Sequence, residues 1–279
     1  MKKIKNIWKI LFVVMILTIL FLFWFIFVGF ELNQNGGFYN KGHNAVWVEH
    51  TWVSAEHTDQ EVNDLVNKLK KYQIDTVFVH VGPLEEDGSI SETTYEFALN
   101  FLDKARRFDK NIQYQAWIGQ LRNKIDLGDG GVRKNIAKQA LIFTKMVGFD
   151  GIHVDIEPVW DEDKNFIDTL EGIRETIGND KKISVALSEF IPRSVVWLVE
   201  KIHKFENYNS EVNYENVAKY ADQIVVMAYD TGINNKIVYK WLIKEQIVWL
   251  TELLDGKEIF IGLPAYDDVK EGFNPEIEN

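Results

Sequence analysis

Phe149-Asp-Gly-Ile-His-Val-Asp-Ile-Glu-Pro158 is the stretch whose reading decides the fold. Side chains on a β-strand alternate between its two faces. Ile152, Val154 and Ile156 therefore form one aliphatic face, suited to covering helices, and His153, Asp155 and Glu157 form the other. Three ionisable groups on the inner face of an apolar strand are costly to bury without partners. Two readings account for them: a structural polar cluster plugging a barrel, or an active site. Their place at the C-terminal end of the strand favours the second, because barrel enzymes carry their chemistry there.

Outward from this segment, short apolar runs alternate with amphipathic stretches. The runs are Ala45–Val48, Thr76–Val81, Ile112–Ile118, Gly151–Ile156, Ile183–Leu187, Gln223–Ala228 and Glu258–Leu263. The spacing predicts helices over Gln60–Tyr72, Glu92–Phe108, Arg133–Val147, Lys164–Ile177, Tyr214–Tyr220 and Lys236–Leu254. Thr58 with Glu61 makes a capping box, and Ser91 is placed to cap the next helix. Alternation of this kind implies parallel β/α units. No G-x-G-x-x-G follows the first strand, which argues against an open dinucleotide-binding sheet. The expected fold is α/β, a TIM (β/α)8-type barrel over residues 45–279. Only a short tail follows Leu263, so the eighth strand that closes such a barrel is missing and truncation is the expectation.

The N-terminus is of another kind. Ile10 to Phe30 carries no charge, long enough for a helix to cross the ~30 Å hydrocarbon core. Lys2, Lys3, Lys5 and Lys9 precede it, and no Lys or Arg follows until Lys41. Residues 1–30 are thus expected to be a cytoplasmic tip and single-pass membrane anchor, with the rest exported. The run ends in bulky residues rather than the small ones of a signal-peptidase site. Residues 31–44, rich in Gly and Asn, form a linker. The chain has no cysteine, which excludes disulfides, thiolate metal sites and a cysteine nucleophile. The anchor takes four of 31 basic residues and none of 42 acidic ones, leaving 27 against 42, a net −15. Such a surface repels nucleic acid and suits a neutral polymer.

Paired carboxylates are chemically pointed. Close like charges raise the pKa of one partner, so one carboxyl stays protonated to donate while the other stabilises positive charge. The segment resembles the fourth-strand signature of glycoside hydrolase family 18, D-x-x-D-x-D-x-E, with Asp150, Asp155 and Glu157 in register. Met227-Ala-Tyr-Asp230 resembles the family's M-x-Y-D motif on the sixth strand, and Ile261-Gly-Leu-Pro-Ala-Tyr266 is similar to its seventh strand. The resemblance covers approximately Ala45 to Tyr266. It implies substrate-assisted, retaining hydrolysis of a β-linked N-acetylglucosamine polysaccharide, peptidoglycan or chitin-like, without cofactor or metal. In that scheme Glu157 protonates the leaving oxygen and Asp155 holds the attacking acetamido group. Tyr229 hydrogen-bonds the acetamido oxygen, while Asp230 and Met227 help position the sugar.

Two departures qualify the resemblance. His153 stands where the motif has its second Asp, and a neutral imidazole there can still hydrogen-bond Asp155. The Trp that the family's eighth strand supplies has no counterpart. Trp52, Trp117, Trp160 and Tyr266 lie at or just after strand ends, where they can line the cleft and stack on sugars or simply pack. Two other classes remain open: an inactive glycan-binding relative, and a metal-dependent hydrolase built on His50, His80 and His153 with Asp155.

Overall fold

The computed structural model describes residues 2–32, 42–191, 196, 208–265 and 275–278, with side chains in the first helix from Trp8 to Trp24. Seven parallel strands make one sheet in sequence order. They are β1 (Asn44–Val48), β2 (Ile74–His80), β3 (Gln113–Leu121), β4 (Gly151–Glu157), β5 (Lys182–Leu187), β6 (Gln223–Met227) and β7 (Glu258–Gly262). Between them run α2 (Asp59–Lys71), α3 (Thr93–Phe108), α4 (Gly130–Leu141), α5 (Lys164–Ile177), α6 (Glu211–Ala218) and α7 (Lys236–Leu253). A helix α1 (Lys2–Leu32) precedes the sheet and a single turn, α8 (Pro275–Glu278), follows it. Glu31 and Leu32 thus belong to α1 and Asn44 to β1 rather than to the expected linker, and residues 33–41 lie outside the described residues.

The sequence signals explain most of this. Thr58 and Glu61 cap α2 reciprocally, Thr58 N donating to Glu61 Oε2 (2.7 Å) and Glu61 N to Thr58 Oγ1 (3.2 Å). Val62, Val66 and Leu69 then recur at helical spacing on its buried face. The expected Ser91 cap is not made: Glu92 is the N-cap residue, and the Ser91 hydroxyl meets Thr93 Oγ1 instead (2.8 Å). The single helix expected over Arg133–Val147 starts earlier and changes form. After Leu141 it widens into a π-helix, Ile142–Val147, where Thr144 Oγ1 donates to Ala140 O (2.7 Å). β3 continues past its apolar run because Gly119, Gln120 and Leu121 pair with Asp155, Ile156 and Glu157.

The sheet curls into a nearly closed barrel of TIM type. A Cβ on Gly262 of β7 would lie 2.9 Å from the Trp47 ring of β1, and Gln115 of β3 hydrogen-bonds Gln223 of β6 across the interior. Ile152, Val154 and Ile156 are fully buried in the layer between strands and helices. Among the described residues β1 and β7 are each paired on one side only. A cavity of about 630 Å³ opens at the N-terminal end of the barrel, bordered by Asn44, Asp75, Gln113, Lys182, Gln223 and Glu258.

Every side chain described in α1, from Trp8 to Trp24, is exposed. Among the described residues, which include the side chains of α1 only from Trp8 to Trp24, no helix is long and apolar enough to cross a membrane.

Candidate active site

Strand register sets the site in levels. His80 of β2, Trp117 of β3, His153 of β4 and Ser184 of β5 are successive partners at one level. Nearer the C-terminal end, Gly119 is opposite Asp155, and then Leu121 opposite Glu157. An open cavity of about 170 Å³ lies at these levels, lined by His80, Trp117, Gly119, Gln120, Asp155 and Glu157 among others. Gly119 keeps it open, since a Cβ there would meet Asp155 O at 2.8 Å and Trp117 Nε1 at 3.1 Å.

The carboxyl of Asp155 is pushed well above the usual carboxylate range, by burial first and then by the negative charge of Glu157. Both causes favour the protonated form of Asp155. Asp155 Oδ1 and Trp117 Nε1 are buried without a hydrogen bond of good geometry, although the indole N–H is close enough to Asp155 to oppose part of its upward shift. Unsatisfied buried polar atoms facing a cavity are the sort that a ligand satisfies.

His153 supports this floor from behind and is completely buried. Trp47 Nε1 donates to its Nε2 (2.9 Å), which must therefore be the unprotonated nitrogen. Burial pulls the imidazole down to about 3, so it is neutral and its one proton sits on Nδ1, donated to Ser184 Oγ (2.9 Å). The ring also stacks on Phe78 (centroids 4.0 Å apart). This corrects two expectations. His153 has no nitrogen left for Asp155, and with no exposed surface it props the site rather than touching a sugar.

The other predicted residues divide. Tyr229 is half-buried on the far side of the interior, its ring 6.3 Å from that of Trp47 and against Gly262. Met227 is buried at the end of β6, and Asp230 is exposed with a left-handed backbone (φ 56°), a conformation Asp tolerates better than most residues. Trp160 is 51% exposed three residues beyond Glu157, with the Arg122 guanidinium 4.2 Å from its ring centre. Trp52 turns away from the cavity and packs on His57 (4.6 Å) and Phe101 of α3 (5.8 Å). Tyr266 lies outside the described residues.

Residues 50–276 match the family described as glycosyl hydrolases family 18. The chain belongs to that family. The uncharacterized glycosylase YvbX of Bacillus subtilis is 25% identical over 243 residues, covering 82% of this chain and 62% of its own length. The spore cortex-lytic enzyme SleL of Bacillus megaterium superposes with a TM-score of 0.57 at 17% identity, over 84% of this chain and 55% of that one. A class V chitinase from Nicotiana tobaccum in complex with NAG4 superposes at 0.53 with 14% identity, over 79% and 66%. This chain thus spans about three fifths of the curated relative it matches.

Within the family 18 signature, Asp150 has a structural task. Its Oδ1 pairs with Arg106 of α3 (3.0 Å) and its Oδ2 accepts from Tyr114 N (2.9 Å), locking β4 against β3 and α3 below the site. Of the metal-hydrolase set, His153 is fully engaged and His50 Nδ1 meets His80 O (3.0 Å). Among the described residues no group of three His, Cys, Asp or Glu is placed to hold a metal ion.

Several residues of this family 18 site escape a reading of the sequence. Trp47 lies inside a strand rather than at its end, although strict alternation along Val46-Trp47-Val48 puts it on the inner face. Arg122 follows β3 in a stretch with no motif. Its N–H donates to Glu157 O (2.6 Å), and its guanidinium pairs with Asp163, the cap of α5, with both side chains under 10% exposed. That buried pair ties the β3–α4 loop to the β4–α5 loop beside Glu157. No local pattern signals it, because its partners are 41 residues apart.

Proposed function

We propose that this chain is a membrane-anchored glycosidase that cleaves β-linked N-acetylglucosamine-containing glycans, peptidoglycan or chitin-like, by substrate-assisted retaining catalysis. The observation that carries the reading is the placement of Asp155 and Glu157 side by side in an open cavity at the C-terminal end of β4. The NAG4 complex of the Nicotiana chitinase supports the sugar class.

The chemistry follows from the resting proton. A substrate acetamido N–H donating to Asp155 stabilises its ionised form, since a hydrogen bond to the charged state favours that state. The proton then moves to Glu157, which delivers it to the leaving oxygen. Meanwhile the acetamido carbonyl attacks the anomeric carbon, and Asp155, now anionic, holds the cationic ring that results. Water opens that ring with Glu157 as base, so the configuration is retained. Tyr229 is assigned to the acetamido oxygen, Asp230 and Met227 to the sugar's placement, and Trp117 and Trp160 to its faces.

The nucleophile in this scheme belongs to the substrate. A matched oligosaccharide without the acetamido group is therefore expected to be inert, while its N-acetylated counterpart is cleaved with retention. Comparable hydrolysis of both by the unmodified chain would replace the scheme with a conventional two-carboxylate one. Affinity for the N-acetylated oligomer without any turnover would make the chain a binding relative.

The anchor reading rests on the uncharged run Ile10–Phe30 and on the exposed apolar side chains around α1. A helix apolar on all sides needs an apolar surrounding. Mass spectrometry of the membrane fraction is expected to find peptides from before Glu31, with the catalytic domain on the extracytoplasmic side. A soluble mature form that begins near Glu31 would overturn the anchor.

A further inference from the structure

Among the described residues are five histidines, and four are held through a ring nitrogen. His43 meets Asp75, His50 meets His80 O, His57 meets Thr51 O, and His153 meets both Trp47 and Ser184. The ring of His80 has no hydrogen-bond partner among these residues, although the residue is partly buried. It is also the histidine that lines the cavity shared by Asp155 and Glu157. Its ring nitrogens are not among the buried atoms that lack a partner, and the side on which the residue is open is the cavity.

We propose that His80 is a substrate-contacting residue whose imidazole hydrogen-bonds a ring hydroxyl of the sugar held beside Asp155 and Glu157. The proposal rests on the reading above that a glycan occupies this cavity. Burial, with the nearby His50, pulls His80 down to about 4, so near neutral pH it offers one donor and one acceptor. A hydroxyl has the same dual character. An anionic ligand does not fit, because Glu157 and Asp155 form one wall. The Trp117 ring, 4.4 Å from that of His80, adds an apolar surface beside the polar contact, which is the mixture a sugar presents in return. The position is inherited from β2, where His80 pairs in register with Trp117 one level below Gly119 and Asp155.

The test is calorimetric binding of an N-acetylglucosamine tetramer to the full chain carrying Glu157→Gln, which removes turnover from the measurement. Adding His80→Phe is expected to weaken binding about tenfold, the scale of one lost hydrogen bond. His80→Gln, which restores a donor and an acceptor, is expected to recover most of that loss. In the otherwise unmodified chain, His80→Phe should raise KM more than it lowers kcat. A purely structural role would lower the melting temperature of both variants without a difference between them in affinity. Equal affinity of the Phe variant and its parent would overturn the contact while leaving the glycosidase reading intact. If the Glu157→Gln parent binds no oligomer at all, the glycosidase reading falls and the sugar contact falls with it.

Discussion

Glu157→Gln is expected to lower turnover of an N-acetylglucosamine oligomer by about 10²–10⁴-fold, the usual worth of general acid–base help. Gln preserves size and hydrogen-bonding shape but has no proton to deliver to the leaving oxygen. Affinity for the oligomer should persist, because the cavity walls at Trp117 and Gly119 are untouched. A substrate whose leaving group departs without protonation should lose much less, since it has no need of the acid. Measuring both substrates separates the role of Glu157 as acid from damage to the fold. Full activity of the Gln variant on the unactivated oligomer would mean that the acid lies elsewhere.

Asp155→Asn is expected to move activity and stability in opposite directions. Turnover should drop by about 10²–10³-fold, because the cationic intermediate loses its stabilising charge. Stability should rise at neutral pH. In the folded chain the Asp155 carboxyl titrates well above its ordinary value of 3.8, through burial and then through Glu157. A group of this kind binds more protons folded than unfolded, so the stability it contributes is largest below the unfolded pKa. It is lost as pH rises from that value toward the raised folded one. Asn carries no such penalty. The melting temperatures of the two proteins should converge near pH 3 and separate as pH increases, with the Asn variant the higher. A variant less stable than its parent at pH 7 would show that the ionised carboxylate is better compensated than its surroundings indicate. Opposed changes in activity and stability are the trade-off expected where a residue is kept for function at a cost to the fold.

The pair also shows where sequence reasoning about the site stops. Spacing alone puts Asp155 and Glu157 on one inner face two residues apart, and it implies that one of them keeps a proton. The rise of the Asp155 carboxyl comes from burial among neighbouring strands and from Glu157, with Trp117 opposing it, and spacing records neither the burial nor the indole. His153 shows the same limit. Its place on the inner face is legible from alternation, but its neutral form and its partners come from β1 and β5.

By itself the sequence determined the alternation of strands and helices, the capping box at Thr58, the inner face of β4 and the signature that marks the family. Each of these is written in neighbouring residues, through a period of two or 3.6 or through a local hydrogen bond. The tertiary structure alone decided which aromatics reach the cavity. Trp117 lines it, whereas Trp52, equally near a strand end, is drawn onto Phe101 by the packing of α3. It likewise decided that His80 is the histidine left facing the site and that Arg122 finds Asp163. Those outcomes depend on contacts between residues tens of positions apart, brought together only when the sheet curls. A one-dimensional pattern holds no record of them.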